Sequence, residues 1–135
     1  MNTHKIRDGA AELAIVVRAS DWEPGLQFVS APEDFQQVGA WWYDKGKTLQ
    51  PHIHLEAHRR ASHTQEVLFV VQGKVRATVF SEDRKPVEVV ELGQGDAMVL
   101  LRGGHGYEIL EDDTKVIEIK NGPYPGPERD RERIG

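Results

Sequence analysis

His52 and His54, separated by one isoleucine in Gln50-Pro51-His52-Ile53-His54-Leu55, are the residues whose type and spacing come closest to declaring a chemistry. On a β-strand, residues i and i+2 project from one face, so an extended chain over residues 48–55 brings both imidazoles within reach of one metal ion. Two histidines do not complete a coordination shell, and further donors must come from elsewhere. Taken alone, the pair fits two readings equally: half of a metal centre, or two solvent-facing strand residues beside a proline.

Further donors are available. Four of the six histidines, His52, His54, His58 and His63, fall within twelve residues, and His105 sits in the glycine loop Arg102-Gly103-Gly104-His105-Gly106. Glu66 opens the otherwise apolar run Val67-Leu68-Phe69-Val70-Val71, where a carboxylate is costly unless it is paired or bound to a cation; its other reading is a rim residue at a strand start. His54 and His58 are four apart, but Glu56 between them does not reproduce the His-Glu-x-x-His of zinc peptidases. His63 reads as a turn or rim residue and, with His58, as a possible substitute ligand. His4 has no evident role. There is no Gly-x-Ser-x-Gly elbow, and no glycine-rich loop ends in Lys-Ser or Lys-Thr, so neither a serine hydrolase nor a phosphate-loop protein is indicated.

Composition narrows the chemistry. With no cysteine, disulfides, thiolate metal sites and thiol nucleophiles are excluded, and any metal must be held by His, Asp, Glu or water. A formal charge of -5 argues against general nucleic-acid binding. The longest apolar stretch, residues 67–71, is too short for a membrane span. The first ten residues lack the apolar block of a secretory signal, so the cytoplasm is the expected location. At 135 residues, 39% hydrophobic and 29% charged, one soluble domain is expected.

These donors require elements to hold them. Nine segments rich in Val, Ile and aromatics read as strands: residues 14–17, 35–43, 48–55, 67–71, 74–80, 87–91, 96–101, 107–110 and 115–119. Turn signals such as Gln72-Gly73 and Leu92-Gly93-Gln94-Gly95 separate them, and the regular spacing predicts an all-β antiparallel sandwich or barrel with little helix. Residues 55–61 read as a loop or strand extension. Residues 121–135, rich in Pro and Gly and then alternating in charge, predict an extended tail packed over the surface or partly disordered. The domain reading is therefore an N-terminal segment (1–34) contributing one strand, a barrel (35–120) and the tail (121–135). Trp41 and Tyr43 share one face of a strand, with Trp42 on the other, so at least one large ring is expected inside. Core packing is their first role. A ligand-pocket wall is the second, with Gln65, Arg76 and Tyr107 as polar contacts chosen from strand position.

The His-x-His, Glu66 followed by six residues and Gly73, and the segment from Gly95-Asp96 to His105 resemble the paired motifs of the cupin superfamily over most of residues 38–119. That resemblance implies a small jelly-roll β-barrel. It also implies one divalent transition metal (Fe, Mn, Zn or Ni) held by His52, His54, Glu66 and His105. Eleven residues, 55–65, separate His54 from Glu66, where the usual motif has only a few. In the second motif Leu101 stands where a proline is usual, and the histidine comes one residue early. A three-histidine, one-carboxylate site leaves coordination positions open for a small-molecule ligand or substrate. The expected functions are metal-dependent oxygenase or isomerase chemistry on a small polar or carbohydrate-related molecule, non-catalytic binding or sensing of such a molecule, and metal-independent isomerisation or epimerisation of a nucleotide sugar. Exposed sheet edges and the resemblance together predict a homodimer.

Overall fold

The computed structural model describes residues 1–135. It builds ten strands: β1 (His4–Asp8), β2 (Ala11–Val17), β3 (Gly25–Phe28), β4 (Gly39–Trp42), β5 (Glu66–Gln72), β6 (Lys74–Phe80), β7 (Pro86–Gly93), β8 (Ala97–Leu100), β9 (Gly104–Ile109) and β10 (Lys115–Lys120). The one helix, α1 (Pro127–Asp130), is a single turn, and no helix is long and apolar enough to cross a membrane.

Every strand pairing is antiparallel. A five-stranded sheet runs β1-β2-β8-β5-β10, a three-stranded sheet runs β7-β6-β9, and β3 and β4 form a separate hairpin. Side-chain periodicity explains how the two larger sheets meet. In β6, Val75, Ala77 and Val79 are buried while the residues between them are half-buried, so the odd-numbered positions face inward. They pack with Leu68 and Val70 of β5, Val90 and Leu92 of β7, Met98 and Leu100 of β8, and Ala14 and Val16 of β2 in one core cluster. Such burial contributes about 1.5–3 kcal/mol for each large aliphatic side chain.

β2 is buried on both faces, as its unbroken run Leu13-Ala14-Ile15-Val16-Val17 demands. Ile15 points away from the main core and packs with Val67, Val99 and Leu101, and Val29 and Val38 cover this second cluster. The chain from residue 29 to 38 therefore lies as a third layer across the outer face of the five-stranded sheet. The β3–β4 hairpin extends from it, with Leu26, Phe28, Trp41 and Trp42 exposed.

Several expectations need correction. The segment 1–34 supplies three strands rather than one, because Lys5-Ile6-Arg7 uses a single buried apolar residue, Ile6, and so carries little hydrophobic signal. Of residues 35–43 only Gly39–Trp42 is strand; residues 35–38 are irregular, with the Gln36 N–H donating to Gln65 Oε1 (2.9 Å) and the Val38 N–H to Ser30 Oγ (2.9 Å). Residues 48–55 are not a strand, and the chain from 44 to 65 is irregular and almost wholly exposed. Pro51 lacks a donor and the segment pairs with no strand, so alternation alone does not hold it extended. No sheet closes on itself: β9 and β10 each keep one unpaired edge. None of Trp41, Trp42 and Tyr43 enters the core.

Candidate functional site

Register fixes which polar groups enter the interior. In β9, His105 and Tyr107 stand opposite the inward-facing Val79 and Ala77, so both rings point between the sheets. In β10, Glu118 and Lys120 stand opposite Leu68 and Glu66 of β5, which places them on the same inner side. The apolar core thus ends, at one end of the sandwich, in a group of polar residues: Glu66, His105, Tyr107, Glu118 and Lys120.

His105 can sit there because of the glycine before its strand. Gly103 has φ +76°, and a side chain on it would collide with the Phe80 carbonyl oxygen. Gly73, which ends the Glu66-to-glycine spacing, has φ +85°. A side chain there would strike Thr114, so this glycine turns the β5–β6 connection and takes no part in the site.

Glu66 Oε2 lies 3.6 Å from His105 Nε2. Glu66 is 8% exposed, and its carboxylate forms no ion pair with any lysine or arginine. Burial pushes its pKa above the usual carboxylate range, and the negative charge of Glu118 adds to the effect. Burial holds the His105 pKa below the usual imidazole value, which favours the neutral ring. The Tyr107 ring lies 5.3 Å from that of His105, centroid to centroid. Burial, and then the adjacent Glu66 charge, raise the Tyr107 phenol, keeping it protonated.

A cavity of about 1610 Å³ opens over these residues, with the tail forming its far wall. Thr64 Oγ1 donates to Asp130 Oδ1 (3.3 Å), Lys120 Nζ pairs with Asp130 (3.7 Å), and Arg84 pairs with Glu132 (2.7 Å). Ile134 packs so closely on Gly104 that a Cβ there would stand 2.5 Å from its Cδ1. The tail is therefore seated across the mouth of the site.

Of the expected ligands, Glu66 and His105 are brought together, and His63, a possible substitute, lines the same cavity with its ring tilted against Phe35, centroids 4.7 Å apart. His52 and His54 form a separate pair, ring centroids 4.9 Å apart, in the exposed segment; the His52 ring nitrogen Nδ1 lies 3.1 Å from the Gln50 carbonyl. His58 is exposed in the same segment. No three His, Asp or Glu side chains converge as one metal shell. The donor chemistry at the cavity nonetheless suits a cation: a buried carboxylate without a basic partner facing a neutral imidazole.

Of the expected pocket residues, only Tyr107 lines this cavity. Trp41 and Tyr43 flank a smaller hollow with Lys45 and Lys47, just past the end of the hairpin. Arg76 lies on the outer face of β6, paired with Glu91 and Glu108 at 3.0 Å each. Gln65 is buried as a staple: its Oε1 accepts from the Gln36 N–H (2.9 Å), and its own N–H donates to Asn121 Oδ1 (2.8 Å). The strand-position reading missed Glu118 and Lys120. They share the inward side of β10, while the alternate isoleucines, Ile117 and Ile119, stand 52% and 51% exposed on the outside. Compared with protein-family models, curated proteins and solved structures, the chain matches none.

Proposed function

We propose that the chain is a small metal-binding cupin acting on a small polar or carbohydrate-related molecule, with Glu66 and His105 as the inner half of its site. The observation that carries this reading is the contact between a buried, otherwise unpaired carboxylate and a neutral imidazole on facing sheets, at the floor of a large cavity.

Strand order supports the jelly-roll part of the reading. A jelly roll is a long hairpin rolled up, so its pairs nest. Here β6–β7 is nested within β5–β8. The next strands along the chain, β9 and β10, each have a free edge. The chain before β5 offers, in reverse order, residues 48–55 and β4. Alignment of 48–55 along β9 would bring His52 and His54 towards His105 and Glu66, and Leu49, Ile53 and Leu55, now exposed, have apolar surface to gain by docking.

His52, His54, Glu66 and His105 would hold the metal, and the bound ion would supply Lewis-acid or oxygen chemistry of the isomerase or oxygenase type. The protein's own groups do the rest. Glu66 and the His105 ring present lone pairs, the Tyr107 phenol, kept protonated, donates a hydrogen bond to a substrate oxygen, and the seated tail limits the entry of water. Pairing with a second copy belongs to the same reading, supported by Phe69, Ile117 and Ile119 exposed together on the outer face of β5 and β10. Size-exclusion chromatography with light scattering checks it, and a monomer at micromolar concentration removes it.

Elemental analysis of freshly purified, chelator-free protein tests the metal. About one divalent transition ion per chain is expected, and it should be lost when His52 and His54 are both replaced by alanine. Metal-free protein, or metal retained by that variant, overturns the reading. A second reading is favoured by the opposed pKa directions of Glu66 and His105: metal-independent proton transfer, with His105 as base, as in isomerisation or epimerisation of a sugar. Turnover of a nucleotide sugar that survives chelation and is lost in His105→Gln would select it.

A further inference from the structure

The tail alternates charge, Glu128-Arg129-Asp130-Arg131-Glu132-Arg133, a pattern usually left as a solvated surface. Here the two signs have different partners. Two of its three acids face the body of the protein: Asp130 pairs with Lys120 and accepts from Thr64, and Glu132 pairs with Arg84. Its cations do not. Arg129, Arg131 and Arg133 line the cavity, and none forms an ion pair with a carboxylate; Arg131 reaches only the Tyr124 hydroxyl, at 3.4 Å.

Most of the other charges around the cavity have close neighbours, Lys120 serving both Asp130 and Glu118. Glu118 pairs with Lys120 (3.5 Å), Glu82 faces Arg102 (3.9 Å), and Glu66 faces His105 (3.6 Å). Three guanidinium groups, on alternate residues of the tail, line the cavity without a carboxylate partner of their own. A guanidinium offers a planar fork of donors that matches a carboxylate or a phosphate bidentately, and three of them beside one cavity make a field that an anion would satisfy.

We propose that the cavity takes a small organic anion, a carboxylate or a phosphate, whose charged end is held by Arg129, Arg131 and Arg133 while its other end lies over Glu66 and His105. The assignment deepens the functional reading above by naming the substrate class, and it depends on that reading only for what happens at the floor. The tail then serves as the recognition wall. Ile134 on Gly104 and Glu132 on Arg84 are the contacts that seat it.

Isothermal titration of chelator-treated protein with succinate, with inorganic phosphate and with 1,4-butanediol tests it, metal content being measured separately. Succinate or phosphate should bind with millimolar or tighter affinity at low salt, weakening as salt screens the charges, and the neutral diol should not bind. The tighter of the two anions assigns the headgroup. Replacing all three arginines by alanine should reduce the affinity at least tenfold with metal content and melting temperature unchanged. Ile134→Ala, which keeps every charge but loosens the seat, should reduce it by a smaller factor. No binding of either anion, or equal binding by the triple variant, overturns the inference whether or not the protein carries metal. Anion binding by a protein that proves metal-free leaves the inference standing and removes only the metal reading.

Discussion

Asp96 and Glu66 are buried to nearly the same depth, 9% and 8% exposed, at opposite ends of the β5–β8 pair, about 13 Å apart along the strands by the strand rise. Their carboxyl groups are shifted in opposite directions. Burial pushes both up. At Asp96 the push is outweighed by the Gly93 N–H (2.9 Å), the Ala19 N–H (2.8 Å) and the Arg18 guanidinium (3.0 Å), which hold the carboxyl below its usual range. At Glu66 nothing comparable offsets burial, and the carboxyl stays raised. Equal burial therefore has opposite meanings: one end of the strand pair uses its carboxylate as structure, and the other holds one whose charge is left for something to satisfy.

The largest expected effect breaks the structural end. Asp96→Ala should destabilise the protein by about 3 kcal/mol, because two backbone N–H groups and a guanidinium lose a charged acceptor. Urea unfolding measures it, and a loss below about 1 kcal/mol would mean that Asp96 is no hub. The next effect sharpens the contrast through pH. Since the folded pKa of Asp96 is depressed, its contribution is fully present above the unfolded value of about 3.9 and is lost as pH falls through the folded value. The stability gap between wild type and Asp96→Asn should therefore shrink on acidification below about pH 4, followed by thermal melts across the acid range.

Glu66→Gln tests the other end. In chelator-treated protein it should stabilise by about 1 kcal/mol at neutral pH, since it removes a poorly solvated charge. The sign follows from a raised folded pKa: the penalty is present above that pKa and disappears below the unfolded one, where both states are protonated. The same substitution should reduce metal content in untreated protein. A destabilising Glu66→Gln would make Glu66 a second Asp96 and end the comparison. Least of all, Arg76→Ala, on the outer face of β6, should leave both melting temperature and metal content unchanged, because its two exposed ion pairs are screened by solvent.

Much of the framework was legible because its signals are local. Strands β5 to β8 and β10 follow from apolar runs and the turns between them, and Glu66 was conspicuous as a carboxylate opening such a run. What escaped depended on partners distant in sequence. Residues 48–55 alternate like a strand, but a strand needs an edge to pair with, and alternation does not supply one. Gln65 looked like a pocket residue from its position beside Glu66, whereas Gln36 and Asn121, far along the chain, make it a staple. In β10 alternation alone does not say which face is inward, and it is the register with β5 that turns Glu118 and Lys120 to the inside. The tail's charge alternation was visible, but only its folded path separates Asp130 and Glu132, which have partners, from the arginines, which have none.

All three tryptophans, Trp22, Trp41 and Trp42, lie on or just before the β3–β4 hairpin, each partly exposed, and the main core contains none. Intrinsic fluorescence from this protein is thus a signal from one peripheral hairpin. A two-stranded hairpin has little stability of its own, so its emission should shift before the sheets lose their far-ultraviolet dichroism. In a denaturant titration the two optical signals would then part company, and the gap between their midpoints would measure how firmly the hairpin is attached.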